Sequence, residues 1–118
     1  MNIEKIGEVE CNGQLLAVRD ALDVLNGKWK LPIIIALAHG KYRFKELHTL
    51  LGITPKMLSK ELKDLEMHQL VKRSVYDSIP VSVSYSLTPY ADSLRSVINS
   101  LHDWGKEHRK KVMTKENQ

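Results

Sequence analysis

Apolar residues recur along this chain with a helical period, then with a strand period, then with a helical period again. Leu15, Val18, Leu22 and Leu25 fall at helical spacing, and Asn26-Gly27 closes that segment as a helix C-terminus prefers. Leu16 and Val24 widen the stripe beyond what one core face requires, which leaves apolar surface for a partner. A second helix is predicted from Lys28 to Ala38, almost uniformly apolar and so central to the core, with Pro32 tolerable only in its first turn. His39-Gly40 ends it, and Phe44, Leu47 and Leu51 predict a short helix that stops at Gly52.

Thr54-Pro55 is the clearest helix start, because Thr caps free N–H groups and Pro fits the first helical position. Leu58, Leu62 and Leu65 then lie within about 60° of one another at 3.6 residues per turn, and Lys56, Lys60 and Lys63 fall opposite, with Ser59 at the flank. After Gln69 the period becomes two. Val71, Arg73 and Val75 alternate with Lys72, Ser74 and Tyr76, and Val81, Val83, Tyr85 and Leu87 alternate with serines, which predicts two strands joined around Asp77 to Pro80. Thr88-Pro89 opens a long amphipathic helix through Leu94, Val97, Ile98, Leu101 and Trp104, ending in His108 to Lys111, with a frayed tail from Thr114.

The predicted class is mainly α with a small β-hairpin. The element order is that of a winged helix-turn-helix with flanking N- and C-terminal helices, organised as a single domain over residues 1–118 with its core at about 11–105. The helix from Thr54 is then the recognition helix, able to enter the roughly 12 Å wide major groove, and the hairpin is the wing.

Charge sharpens this picture. The 118 residues carry 18 Lys and Arg against 14 Asp and Glu, a net charge of +4. Residues 1–40, 41–73 and 74–118 contribute −1, +4 and +1, so the excess sits in the stretch holding the predicted reading helix. Thr54, Lys56, Met57, Ser59, Lys60 and Lys63 are candidates for base or phosphate contact: lysine donates to guanine acceptors and phosphate, hydroxyls donate or accept, and Met57 suits a thymine methyl. Arg43 and Lys45 before it, and Lys72 and Arg73 at the wing base, are candidate phosphate contacts. A solubilising face is the competing reading of the lysines, and a cap alone that of Thr54.

The stretches Ala21 to Trp29, Tyr42 to Leu47, Gly52 to Glu66, Leu70 to Arg73 and Val83 to Pro89 together resemble the HxlR-type branch of the MarR-like winged-helix regulators. The resemblance implies a homodimer built from the first and last helices, which presents two recognition helices to a pseudo-palindromic double-stranded DNA operator. In some members of that family a Cys before the first helix senses oxidants or electrophiles, which makes Cys11 a candidate redox sensor, although Asn12 stands where Pro often follows. Trp29 and Trp104 suit core and dimer packing, and a small-molecule effector between such aromatics is compatible with the superfamily.

Other chemistries find no support. The five histidines are scattered over different elements without ligand spacing, a single cysteine excludes the usual zinc patterns, and no phosphate loop or nucleophile elbow occurs. No cofactor, metal or catalytic group is therefore expected. The start, Met1 to Glu10, lacks the pattern of a signal peptide, and no run is long enough to span a bilayer, so the expected location is cytoplasmic. The sequence points to a sequence-specific DNA-binding transcriptional regulator, a repressor rather than an activator and not an enzyme. A winged-helix protein-interaction module that does not bind DNA is the alternative.

Overall fold

Residues 8–116 are described in the computed structural model; residues 1–7, part of the stretch expected not to be a leader, and residues 117–118 lie outside the description. Helix α1 spans Glu8–Leu25, α2 Lys30–Ala38, α3 Phe44–Leu51, α4 Pro55–Met67 and α5 Arg95–Glu116. Three strands, β1 at Tyr42–Arg43, β2 at Val71–Tyr76 and β3 at Ser82–Leu87, form an antiparallel sheet in the order β1-β3-β2.

The core has the shape that the apolar periods predict. Ile33 and Ile34 of α2, Leu47 of α3, and Leu58, Leu62 and Leu65 of α4 are essentially inaccessible, and Leu70, Val71, Tyr85 and Ala91 close the cluster from the sheet side. Burial of the leucine seam holds α4 against α2, because each such side chain contributes about 1.5 to 3 kcal/mol when removed from water. Pro32 is the third residue of α2, where its missing N–H costs no intrahelical bond.

Five elements depart from the sequence reading. Helix α1 begins at Glu8, ahead of the Leu15 stripe, so Cys11 lies within the first helix rather than before it. Helix α2 begins at Lys30 rather than Lys28, with Trp29 in the capping position. The hairpin gains a third strand, β1, whose two residues pair Tyr42 with Tyr85 and Arg43 with Ser84; a strand that short has no period to detect. Residues Pro89–Leu94 form a tight 3-10 segment before α5. Here Thr88 caps the Ala91 N–H while donating its own hydroxyl to the Gln69 carbonyl at 2.6 Å, and Ser93 donates to the Tyr90 carbonyl, so local side-chain bonds compete with the α ladder. Finally, α5 continues through the expected cationic end and frayed tail to Glu116.

Helices α1 and α5 are only partly absorbed by the core. Val24 and Leu25, with Leu94 and Ile98, pack against it, whereas Leu15, Leu16, Val18 and Leu22 of α1 and Val97, Leu101 and Trp104 of α5 are exposed. The radius of gyration is 18.0 Å, against about 13 to 14 Å for a compact chain of this length.

Candidate nucleic-acid interface

The helix-turn-helix is built by α3, a glycine turn and α4. Gly52 ends α3 in the left-handed conformation at φ 68°, which reverses the chain within one residue. Ile53 then drops into the core, and His48 Nδ1–H donates to the Ile53 carbonyl, tying the turn back to α3. Thr54 Oγ1 accepts the Met57 N–H at 3.2 Å and starts α4 with Pro55 in its first turn, so Thr54 does serve as the cap.

With the leucine seam buried, the outer side of α4 is left to solvent. Lys56, Met57, Lys60 and Lys63 are exposed and Ser59 is half-buried beside them. Among the described residues, none of Lys45, Lys56, Lys60, Lys63, Lys72 or Arg73 has a carboxylate within ion-pair distance.

Three of the four acids of this region, Glu46, Glu61 and Asp64, are engaged elsewhere. Glu46 Oε1 accepts the Arg43 N–H at 2.9 Å and caps the start of α3. Glu61 is buried on the inner side of α4, where its Oε2 lies 2.8 Å from Lys30 Nζ, and Asp64 Oδ2 reaches the same ammonium at 3.5 Å. Burial alone would pull the Lys30 ammonium down, but the carboxylate of Glu61 2.8 Å away, joined by that of Asp64, outweighs it and leaves the pKa above the ordinary lysine range. The outer face of α4 therefore carries lysines, while Glu61 from the inner side and Asp64 from the flank are drawn to Lys30. The sequence reading missed Lys30, which sits in an apolar run and gives no sign of burial until its acidic partners, 31 and 34 positions away, are in place.

Around α4, the flanking cations divide into groups. Arg43 and Lys45 line a shallow depression whose other wall is the wing tip, Ser78 to Val83. Lys72 and Arg73 are exposed on β2 but alternate across the sheet. Arg73 shares the helix-bearing face with Val71 and Tyr85, and Lys72 shares the outer face with Ser86, Ser74 and Tyr76. That outer face is polar: Arg43 opposes Ser84, and Lys41 Nζ donates to Tyr76 Oη at 3.4 Å. The Ser84 hydroxyl and the Lys41 ammonium beside the Tyr76 phenol hold it below its usual range. Neither Lys41 nor Tyr76 was singled out from sequence, since it takes both the β1–β3 and the β2–β3 pairings to bring them together.

Cys11 is half-buried on α1. Among the described residues no helix is long and apolar enough to cross a membrane.

Comparison with known proteins agrees with the helix-turn-helix fold. A family model described as HxlR-like helix-turn-helix matches residues 24–113. An uncharacterised HTH-type transcriptional regulator of Bacillus subtilis (strain 168), YtcD, is 40% identical over 98 residues, which is 82% of this chain and 78% of that protein. Among solved structures, the redox regulator HypR in its reduced form superposes with a TM-score of 0.77 at 34% identity, over 83% of this chain and 98% of that one. A regulator of the MarR family from Enterococcus faecalis V583 superposes with a TM-score of 0.75 at 31% identity, covering 97% and 99%.

Proposed function

Because the chain belongs to the HxlR-like helix-turn-helix family, we propose that this DNA-binding transcriptional regulator is a homodimeric repressor, with Lys56, Lys60 and Lys63 as its main contacts to operator DNA. The observation that carries the reading is the outer face of α4: exposed lysines with no carboxylate partner among the described residues, opposite a buried leucine seam, on a helix whose start is capped and clear of the core. Thr54, Met57 and Ser59 at that start approach base edges; Arg43, Lys45 and Arg73 hold phosphates beside it, and Lys72, on the other face of the sheet, contributes less. The protein acts by occupying cytoplasmic promoter DNA and performs no catalysis.

Dimerisation through α1 and α5 is supported by the exposed leucines of α1, by Val97, Leu101 and Trp104 of α5, and by the extended shape these helices give one chain. Two recognition helices related by a two-fold axis would read a pseudo-palindromic operator with half-sites one helical turn apart. An electrophoretic shift with duplexes selected from random DNA tests the reading. Binding that weakens steeply with salt supports it, and no salt-sensitive binding would favour a protein-interaction module. Light scattering on Leu101→Glu separately tests the dimer: a mass unchanged from the wild-type dimer would reject the α5 interface.

A second reading concerns Cys11. HypR has been solved in reduced and oxidised forms, and this chain carries its one thiol on the helix assigned to the dimer. Two Cys11 thiols from two copies, or one with a small thiol, can form a disulfide while an oxidant such as diamide takes up the two electrons and two protons. DNA affinity that is the same with and without diamide, in the wild type and in Cys11→Ser, would remove this role.

A further inference from the structure

One ammonium in this protein gathers three acceptors from two other segments. Lys30 Nζ, at the first turn of α2, lies 2.8 Å from Glu61 Oε2, 3.5 Å from Asp64 Oδ2 and 3.2 Å from Asn26 Oδ1. Its side chain is 6% exposed and that of Glu61 10%, so this is an interior ion pair, while Asp64 is open to solvent at 41%. Asn26 is the residue just after α1, and Glu61 and Asp64 lie on α4.

A seam of leucines sets the roll of α4 coarsely, since a large turn would carry Leu58, Leu62 and Leu65 into water, but the non-directional hydrophobic term penalises a small turn little. An ion pair on the flank of the seam adds a fixed point of contact off the helix axis. Glu61 precedes Leu62 and Asp64 precedes Leu65, so both carboxylates leave α4 on the same flank, one turn apart. A cation fixed in α2 that binds both resists rolling of α4 about its own axis. It also links α4, through Asn26, to the end of α1.

We propose that Lys30 is a positioning residue that sets the roll of the recognition helix, and through it which of the outer side chains face the bases. The inference rests on the DNA-binding reading. Buried ion pairs are weak contributors to stability, since desolvation offsets much of their attraction; their better-attested use is to fix one arrangement among several. Roll matters for base readout, which needs atoms within hydrogen-bond reach of particular edges. Phosphate attraction is much less sensitive to it.

The test compares affinity for a selected operator duplex with affinity for random duplex of equal length, in the wild type, Lys30→Arg, Lys30→Met and Lys30→Met/Glu61→Gln. The double variant removes the pair without stranding a buried carboxylate, so it remains informative if Lys30→Met fails to fold. The expected result is a folded double variant whose preference for the selected duplex falls roughly tenfold. Its binding to random duplex and its salt slope should stay at wild-type values, and Lys30→Arg should keep most of the preference. A merely structural role would lower melting temperature and leave the preference unchanged, and an unchanged preference in the folded double variant overturns the proposal.

A second arm needs no DNA. Spin labels are placed on Asp20→Cys in α1 and Lys63→Cys in α4, in a Cys11→Ser background diluted with unlabelled protein. A narrow wild-type distance distribution that broadens in the double variant is expected, and an unaltered distribution overturns the proposal. If the wild type prefers no duplex over another, the operator reading has failed and this arm alone decides whether Lys30 positions α4.

Discussion

Lys72 and Arg73 are adjacent in sequence yet stand on opposite faces of the sheet, Lys72 in register with Ser86 and Arg73 with Tyr85. A strand alternates its side chains, so the two cannot serve one phosphate path equally. Arg73 occupies the face that carries α4. Arg73→Ala should therefore weaken DNA binding and lower the salt slope by about one unit, while Lys72→Ala does markedly less. Equal losses in a salt titration would reject this assignment.

On α4 itself, Lys56→Ala/Lys60→Ala removes two exposed cations that face away from the core. The slope of log affinity against log salt should fall by about two units at 0.9 per contact, with the thermal transition unchanged. Retained affinity with an unaltered slope would mean that this side of α4 does not meet DNA.

Leu62→Ala acts on the opposite side of the same helix. Leu62 is 1% exposed among the leucines of the seam, and truncation there should cost about 2 to 5 kcal/mol through lost burial and the cavity left behind. Urea unfolding measures it; a midpoint near the wild-type value would show that the site relaxes around the smaller side chain.

Gly52→Ala isolates a backbone effect. A Cβ at this position would meet no atom within 4 Å, but φ is 68°, so the cost is conformational, about 1 to 2 kcal/mol. A loss near zero in the same urea assay would indicate that the turn adopts another conformation.

The Lys30 network predicts an alkaline limit. Its pKa is raised in the folded protein, so the folded state holds this proton more tightly than the unfolded chain does. The contribution is complete below the unfolded lysine value, near 10.4, and is lost as pH rises through the folded value. Unfolding midpoints measured at pH 9 and pH 11 should fall further for the wild type than for Lys30→Met/Glu61→Gln; parallel losses would show that the proton is not linked to folding.

How much of this could be read from sequence depended on the range of the interactions. The turn and helix from Gly52 to Leu65 were legible because a glycine, a Thr-Pro start and a leucine period all act within a few residues. The third strand was not, since Tyr42–Arg43 exists only by pairing with Tyr85 and Ser84 about 40 positions away. Burial of Lys30 likewise follows from distant Glu61 and Asp64. The separation of Lys72 from Arg73 was available in the period-two pattern. It was hidden by treating two adjacent cations as one feature.

The two-residue length of β1 has a consequence for solubility. A sheet is open to lateral growth at its edge strands, whose unpaired backbone groups recruit strands from other molecules. On one side that edge is almost absent, because Arg43 hands the chain directly to α3. On the other side, β2 carries Lys72 and Arg73 near its middle, and adding a strand beside them would bring their charges against another copy's. The cations assigned to phosphates thus also guard the free edge against amyloid-like pairing, so neutralising both together should lower the concentration at which the protein stays dispersed.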